Sequence, residues 1–233
     1  MSVICDPNLA RILESLHKKN DEQLAAMKLY YERHENDGQP FEDETFTRAY
    51  LSDKLVALDR DKAEFCYQLL RAIGARRVVE IGTSYGVSTL YLASALRDNV
   101  RGTDDTAIVI GTEYEPAKAA AARANIAEAG LDRFVQLLEG DLRETLGGFE
   151  NQIDFMLVDI WVPMARPALD LVARHLRPGA VVVCDNTEQH RDDYADYFAF
   201  INDPNNHFRT MTLPFNGGLE LSVFTPPRLA STI

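Results

Sequence analysis

Val-Val-Glu-Ile-Gly-Thr-Ser-Tyr-Gly, residues 78 to 86, decides how the rest of the chain is read. An apolar run ends in an acid, Glu80, and two glycines four apart, Gly82 and Gly86, open a helical pattern. A strand that stops at a glycine-rich turn lets a ligand approach the backbone where a side chain would block it. The spacing is G-x-x-x-G. A dinucleotide fingerprint reads G-x-G-x-x-G, and its additional glycine admits a pyrophosphate to the helix N-terminus. Without that glycine, and with Glu80, the turn suits a cofactor with a cationic end and no phosphate. S-adenosylmethionine is such a cofactor.

Downstream of this turn, strand and helix patterns alternate. Apolar runs predict strands over Val78–Ile81, Ala107–Gly111, Phe134–Leu138, Ile153–Val158 and Ala180–Cys184. Helices are expected over Val87–Leu96, Pro116–Ala129, Pro163–His175 and His190–Ile201, with a short one after Asp141 ended by Gly147-Gly148. Pro116 suits a first helical turn, and Gly130 a helix C-terminus. Strands separated by helices imply a parallel sheet covered on both faces. The tail breaks the rule: Phe208–Leu213 and Leu219–Thr225 flank Pro214-Phe215-Asn216-Gly217-Gly218, a hairpin signal. A mostly parallel seven-stranded α/β sheet finished by an antiparallel hairpin is the expected Rossmann-like methyltransferase layout.

Upstream, Leu9, Ile12, Leu13 and Leu16 recur at helical spacing, as do Ala63, Cys66, Leu69, Leu70 and Ile73. Residues 35–40 and 98–106 read as polar loops. The expected division is an N-terminal helical extension over 1–75, serving as a cap or for dimerisation, and a cofactor-binding domain over 76–233. The 233 residues are 46% hydrophobic, enough to bury a full core. A net charge of -12 opposes a phosphate-tracking surface, so nucleic acid is excluded as the expected partner. No apolar stretch approaches a membrane span, and the N-terminus lacks the basic-then-apolar signal pattern. Cys5, Cys66 and Cys184 are odd in number and widely spaced, which suits neither a disulfide framework nor a zinc site. A cytoplasmic protein is expected.

In an open α/β sheet, ligands bind beyond the carboxyl ends of the strands, at the topological switch point. Glu80 with Gly82, Ser84 and Gly86 follows strand one, and Glu113, suited to both hydroxyls of a ribose, follows strand two. Asp141, which an adenine amino group could donate to, follows strand three; Asp159 follows strand four, and Asp185-Asn186 strand five. Any one of these acids is more often a cap or a loop residue. Five in order on one rim are hard to read as caps. Asp159, Asp185 and Asn186 are also hard oxygen donors, suited to Mg2+, Mn2+ or Ca2+. Against this, Asp185-Asn186 could cap the following helix and Asp159 shape a turn.

These residues resemble the metal-dependent catechol O-methyltransferase-like enzymes, including the caffeoyl-CoA O-methyltransferases. The likeness spans roughly residues 55 to 226. Glu80, Gly82, Gly86 and Ser88 match the family's Glu-x-Gly-x-x-x-Gly-x-Ser stretch, and Glu113 with Pro116 its ribose-binding acid. Asp159, Asp185 and Asn186 match its metal triad, and Gly218-Leu219-Glu220 its closing hairpin arm. The resemblance implies S-adenosylmethionine as methyl donor, contacted by Glu80, Gly82, Ser84, Gly86, Ser88, Glu113, Asp141 and Asp159. It further implies a divalent metal and a small, catecholic acceptor; a homodimer formed through the N-terminal helices is one expected assembly.

One position departs from the family. Its general-base lysine, three residues after the metal-binding aspartate, is Val162 here, and Ile160-Trp161-Val162-Pro163 holds no titratable group. His190 is the candidate base, since its unperturbed pKa lies near operating pH. An exposed residue in the first turn of a helix is the plainer reading of it. Rival functions are a methyltransferase with another acceptor or without metal, a nicotinamide-dependent oxidoreductase, which the missing glycine opposes, and a cofactor-binding protein without catalysis.

Overall fold

The computed structural model describes residues 3–36, 50–100, 106–147 and 152–227, with side chains from 30 to 36 excepted. Parts of the polar loops expected at 35–40 and 98–106 lie outside these residues. In chain order the elements are α1 (Pro7–Asn36), α2 (Arg60–Ile73), β1 (Arg77–Ile81), α3 (Val87–Asn99), β2 (Ile108–Glu113) and α4 (Pro116–Glu128). There follow β3 (Val135–Glu139), α5 (Leu142–Thr145), β4 (Ile153–Val158), α6 (Val162–Ala173), β5 (Leu176–Asp185), α7 (Ala195–Asn202), β6 (Phe208–Leu213) and β7 (Leu219–Phe224).

The seven strands pair in the order β3-β2-β1-β4-β5-β7-β6. Strands β1 to β5 are parallel, and β7 runs antiparallel to both β5 and β6. Alternate residues of each central strand supply the two faces. Val78, Phe155 and Val183 join the helices α1 to α4, while Val79, Met156 and Val182 join α5 to α7. The order reverses between β1 and β4, so a crevice opens where their carboxyl ends diverge.

Both N-terminal helices join the first of these cores. Leu9, Ile12 and Leu13 of α1 pack with Cys66 and Leu70 of α2 and with Leu92 of α3. Asp6 caps α1, its Oδ1 accepting from the Asn8 and Leu9 amides, and its Oδ2 lies 2.9 Å from Arg97 of α3. Such a cap is typically worth ~1 kcal/mol. Among the described residues no helix is long and apolar enough to cross a membrane.

Two elements differ from the sequence-based expectation. The last helix begins at Ala195 rather than His190, and residues 187–194 form consecutive turns. His190-Arg191-Asp192-Asp193 offers no apolar side chain to bury, and the first anchors are Tyr194 and Tyr197, at 3% and 1% exposure. Strand β5 starts earlier than expected, at Leu176, because a register shift against β4 lets Pro178-Gly179 bulge out without ending the pairing.

Candidate active site

The glycine-rich turn is held from below by Glu80. This carboxylate is fully buried and accepts from the hydroxyls of Thr83 at 2.8 Å, Ser88 at 2.7 Å and Thr89 at 2.5 Å. Burial pushes its pKa up, the three hydroxyl bonds pull it down, and the Glu113 charge adds to the rise. Glu80 therefore shapes the turn from the protein side, and Ser88 both bonds to it and lines the space above the turn. Gly111 on β2 makes room for this cluster: a Cβ there would lie 2.5 Å from Thr83 Oγ1. Gly82 has φ +91, and a Cβ on it would lie 2.0 Å from the carbonyl oxygen of Asp159. Its immediate reason is thus the crossing of the β1 and β4 ends. Gly86, at φ +83, begins α3.

Glu113 at the end of β2 faces the same turn and is 9% exposed. The Ser84 amide donates to its Oε2 at 2.7 Å and the Glu115 amide to its Oε1 at 2.8 Å. Each carboxylate oxygen keeps a second lone pair, so a vicinal diol can donate to both. Asp141 lies at the end of β3. It caps α5 by accepting from the Arg143 amide at 2.9 Å, and it pairs with the Arg143 guanidinium.

Residues 55–58 lie across the turn. The Ser84 hydroxyl donates to the Leu55 carbonyl at 2.5 Å, and α1 holds the other side through Asn20, accepting from the Ala57 amide, and Gln23, accepting from the Leu55 amide. The space enclosed with Gly82, Ser84, Ser88 and Asp159 is ≈ 10 Å³. Val56 in this strap takes φ +44, a strained conformation for a β-branched residue.

At the ends of β4 and β5 the expected triad meets a residue the sequence reading missed. Lys62 of α2 is 1% exposed, and its Nζ lies 2.7 Å from Asp185 Oδ1 and 3.2 Å from Asp59 Oδ2. Burial alone would lower the Lys62 pKa, but the Asp185 bond and charge, with Asp59, bring it above its ordinary value. The Asp159 carboxyl is held well above the usual carboxylate range, by burial first and then by the Asp185 and Glu80 charges. Asp185 is also raised, burial outweighing Lys62. The rim thus carries one ammonium for Asp185, with the proton retained most strongly by Asp159.

These residues do not fit a divalent ion. The Asp185 oxygen that would ligate it accepts from an ammonium, which takes the cation's place and repels a second one. Asn186, at φ +56, sets its Oδ1 so close to Gly217 that a Cβ there would lie 2.5 Å away. Among the described residues, no group of three or more His, Cys, Asp or Glu side chains could hold a metal ion. Lys62 left one trace in the sequence: it stands four residues before Cys66, in line with the apolar stripe of α2.

His190 stands on the turn after Asn186. Its side chain is 45% exposed, its Nδ1 lies 3.7 Å from Asp193, and it lines neither cavity. Val162 opens α6 and packs against the second core. Beside the rim, an open groove of ≈ 640 Å³ runs between Glu188-Gln189 and the hairpin loop from Thr212 to Gly218. Phe215 in that loop meets Phe65 of α2, with ring centroids 5.5 Å apart.

The strand order and the acid-bearing rim define the class: a Rossmann-like methyltransferase fold. Residues 79–187 match the family model described as a methyltransferase domain. Over part of its length the chain is similar to catechol and caffeoyl-CoA O-methyltransferases. The chain is 34% identical over 132 residues to a catechol O-methyltransferase of Mycobacterium tuberculosis, covering 56% of this chain and 57% of that protein. It is 26% identical over 150 residues to a probable caffeoyl-CoA O-methyltransferase of Dictyostelium discoideum, covering 62% of each. The chain thus spans about three fifths of the length of these relatives. An O-methyltransferase from Bacillus cereus solved with SAH superposes with a TM-score of 0.66 at 21% identity, over 96% of this chain and 93% of that one, and shows the shared fold.

Proposed function

We propose that the protein transfers a methyl group from S-adenosylmethionine to a hydroxyl of a small, catecholic acceptor. The observation that carries this reading is the Glu113 carboxylate, fixed by two backbone amides at the end of β2 with lone pairs left for a ribose diol. The names of the relatives support the acceptor class. The cofactor supplies an electrophilic methyl on a sulfonium. The chain's residues do the rest: Glu113 and the Gly82–Ser88 turn hold the donor, and the strap at 55–58 lifts to admit it and closes to exclude water. The groove beside the hairpin receives the acceptor, and its volume lies in the range of small-molecule sites. Positioning of two reactants is the main contribution expected of such a site.

The divalent metal implied by the resemblance is not carried forward, because Lys62 takes the cation's place. His190 is not carried forward as the base, since it lies exposed outside both cavities. The division into 1–75 and 76–233, with a cytoplasmic homodimer, stays part of the proposal. Isothermal titration with S-adenosylmethionine and with NAD tests the reading. Binding of the first and not the second, with methylation of a catechol, is the expected result. NAD binding alone would favour an oxidoreductase, and donor binding without turnover of any phenol a cofactor-binding protein.

A further inference from the structure

We infer that the Lys62 ammonium is the resident cation of the Asp159–Asp185 rim, and that it holds the acceptor oxygen in place of a divalent metal. The inference rests on the methyl-transfer reading and names the residue that meets the acceptor. Three observations lead to it. The Nζ sits 2.7 Å from Asp185 and 3.2 Å from Asp59, with the side chain 1% exposed. Lysine is almost never buried so completely unless paired, and a buried ion pair is a weak source of stability against an apolar replacement. A structural role alone is therefore a poor reason for it.

Second, an ammonium has three N–H donors in roughly tetrahedral directions. Two meet carboxylates, leaving one for a ligand oxygen. Third, α2 connects the rim to the groove. Lys62 reaches the end of β5, and Phe65, one turn later on the helix, contacts Phe215 in the groove wall. On this inference, an aromatic acceptor lying along that wall would extend its hydroxyl toward the N-terminal turn of α2, which carries Lys62. The stretch after β4 supplies no other cation, since Ile160-Trp161-Val162-Pro163 is uncharged.

The step balances without a metal. The acceptor hydroxyl loses its proton to solvent, and its oxygen, held by the Lys62 N–H, bonds to the methyl carbon as the S–C bond breaks. That electron pair stays on sulfur. A fixed ammonium stabilises the oxyanion electrostatically, and removing one such donor typically costs ~10²–10³ in rate.

The test combines Mn2+ binding, followed by electron paramagnetic resonance, with catechol turnover in excess EDTA. Wild-type protein should bind no stoichiometric Mn2+ and keep its rate in EDTA within about twofold. Lys62→Met keeps the length of the stem and removes the charge. It should lose at least ~10²-fold in kcat at unchanged S-adenosylmethionine affinity, and Mn2+ should now bind between the two uncompensated carboxylates. Stoichiometric Mn2+ on the wild type, loss of its activity in EDTA with recovery in Mg2+, or full turnover by Lys62→Met would each overturn the inference. If the variant fails to fold, the wild-type Mn2+ titration still decides. Absence of S-adenosylmethionine binding by the wild type would instead strike the underlying reading.

Discussion

The two halves of the rim solve the same problem in opposite ways. At the ends of β1 and β2, the buried Glu80 and Glu113 are satisfied by neutral donors, three hydroxyls for the first and two backbone amides for the second. At the ends of β4 and β5, Asp185 is met by a buried ammonium from α2, and burial with the neighbouring acids raises the Asp159 pKa well above the usual carboxylate range. Two backbone amides leave Glu113 spare lone pairs, which suits a site that must accept hydrogen bonds from a ligand. An ammonium cancels the charge and leaves a donor, which suits a site that must hold an oxygen. Under the proposed methyl transfer, the donor and acceptor ends need that difference.

The largest effect should come from breaking the charged half. Asp185→Ala leaves Lys62 buried with only the half-exposed Asp59, and removing one partner of a buried pair typically costs ~3–5 kcal/mol. Urea unfolding should show a loss in that range; a loss below ~1 kcal/mol would mean that Lys62 finds water or another partner. In the neutral half, Glu113→Ala should leave the protein folded and weaken S-adenosylmethionine binding at least about tenfold, since charge-assisted bonds are worth ~1.5–3 kcal/mol each. Calorimetry reads it directly, and an unchanged affinity in a folded variant would remove Glu113 from the site.

Asp159→Asn sharpens the contrast within the charged half. Because the folded pKa of Asp159 is raised, its folded form keeps a proton that the unfolded chain gives up near 3.8. Its contribution is therefore complete below that value and is lost as pH rises toward the folded pKa. The amide imitates the protonated acid, so the variant should change stability little at low pH and lose that decline above it. Identical pH-stability curves for variant and wild type would show that Asp159 ionises normally.

The smallest effect should lie at the buried contact between α1 and α3, where His17 Nε2 and the Tyr91 hydroxyl are 3.1 Å apart. Burial lowers the His17 pKa, with Arg60 adding to it. The unfolded chain then binds the proton more readily, so stability is present above about pH 6.5 and falls as the pH drops through the folded value. His17→Phe should flatten that acid limb at a cost of ~0.5–1.5 kcal/mol near neutrality for the lost hydrogen bond. Thermal melts between pH 5 and 8 measure both.

The elements that were legible in the sequence are those whose signal is local. Strand β4 is legible at Ile153–Val158 from the apolar run Phe155–Val158, and the hairpin from Pro214 to Gly218 between two alternating segments. Where no apolar side chain anchors the pattern, at 190–193, the sequence places the helix too early. Gly82 is legible as part of the turn, but that a Cβ there would meet the Asp159 carbonyl just after β4 is visible only in the fold. Glu80 was recognised as unusual, and its three partners lie only three, eight and nine residues away, yet a hydroxyl beside an acid in sequence does not reveal that both are buried.

The rim acids, their order and the fold that displays them were determined by the sequence alone, because strand and helix periods are set by backbone geometry within a few residues. What neutralises Asp185 was decided only by tertiary structure. Lys62 stands 123 residues away, on a helix whose stripe was read for its apolar members, and nothing local distinguishes a lysine that reaches solvent from one that turns inward. The stretch after β4, where the resemblance implies a lysine, holds Val162, and the ammonium at this rim comes from α2 instead. A long, flexible side chain can deliver its charge to the site from any element packed against it, so a motif confined to neighbouring residues records the carboxylates and omits their cation.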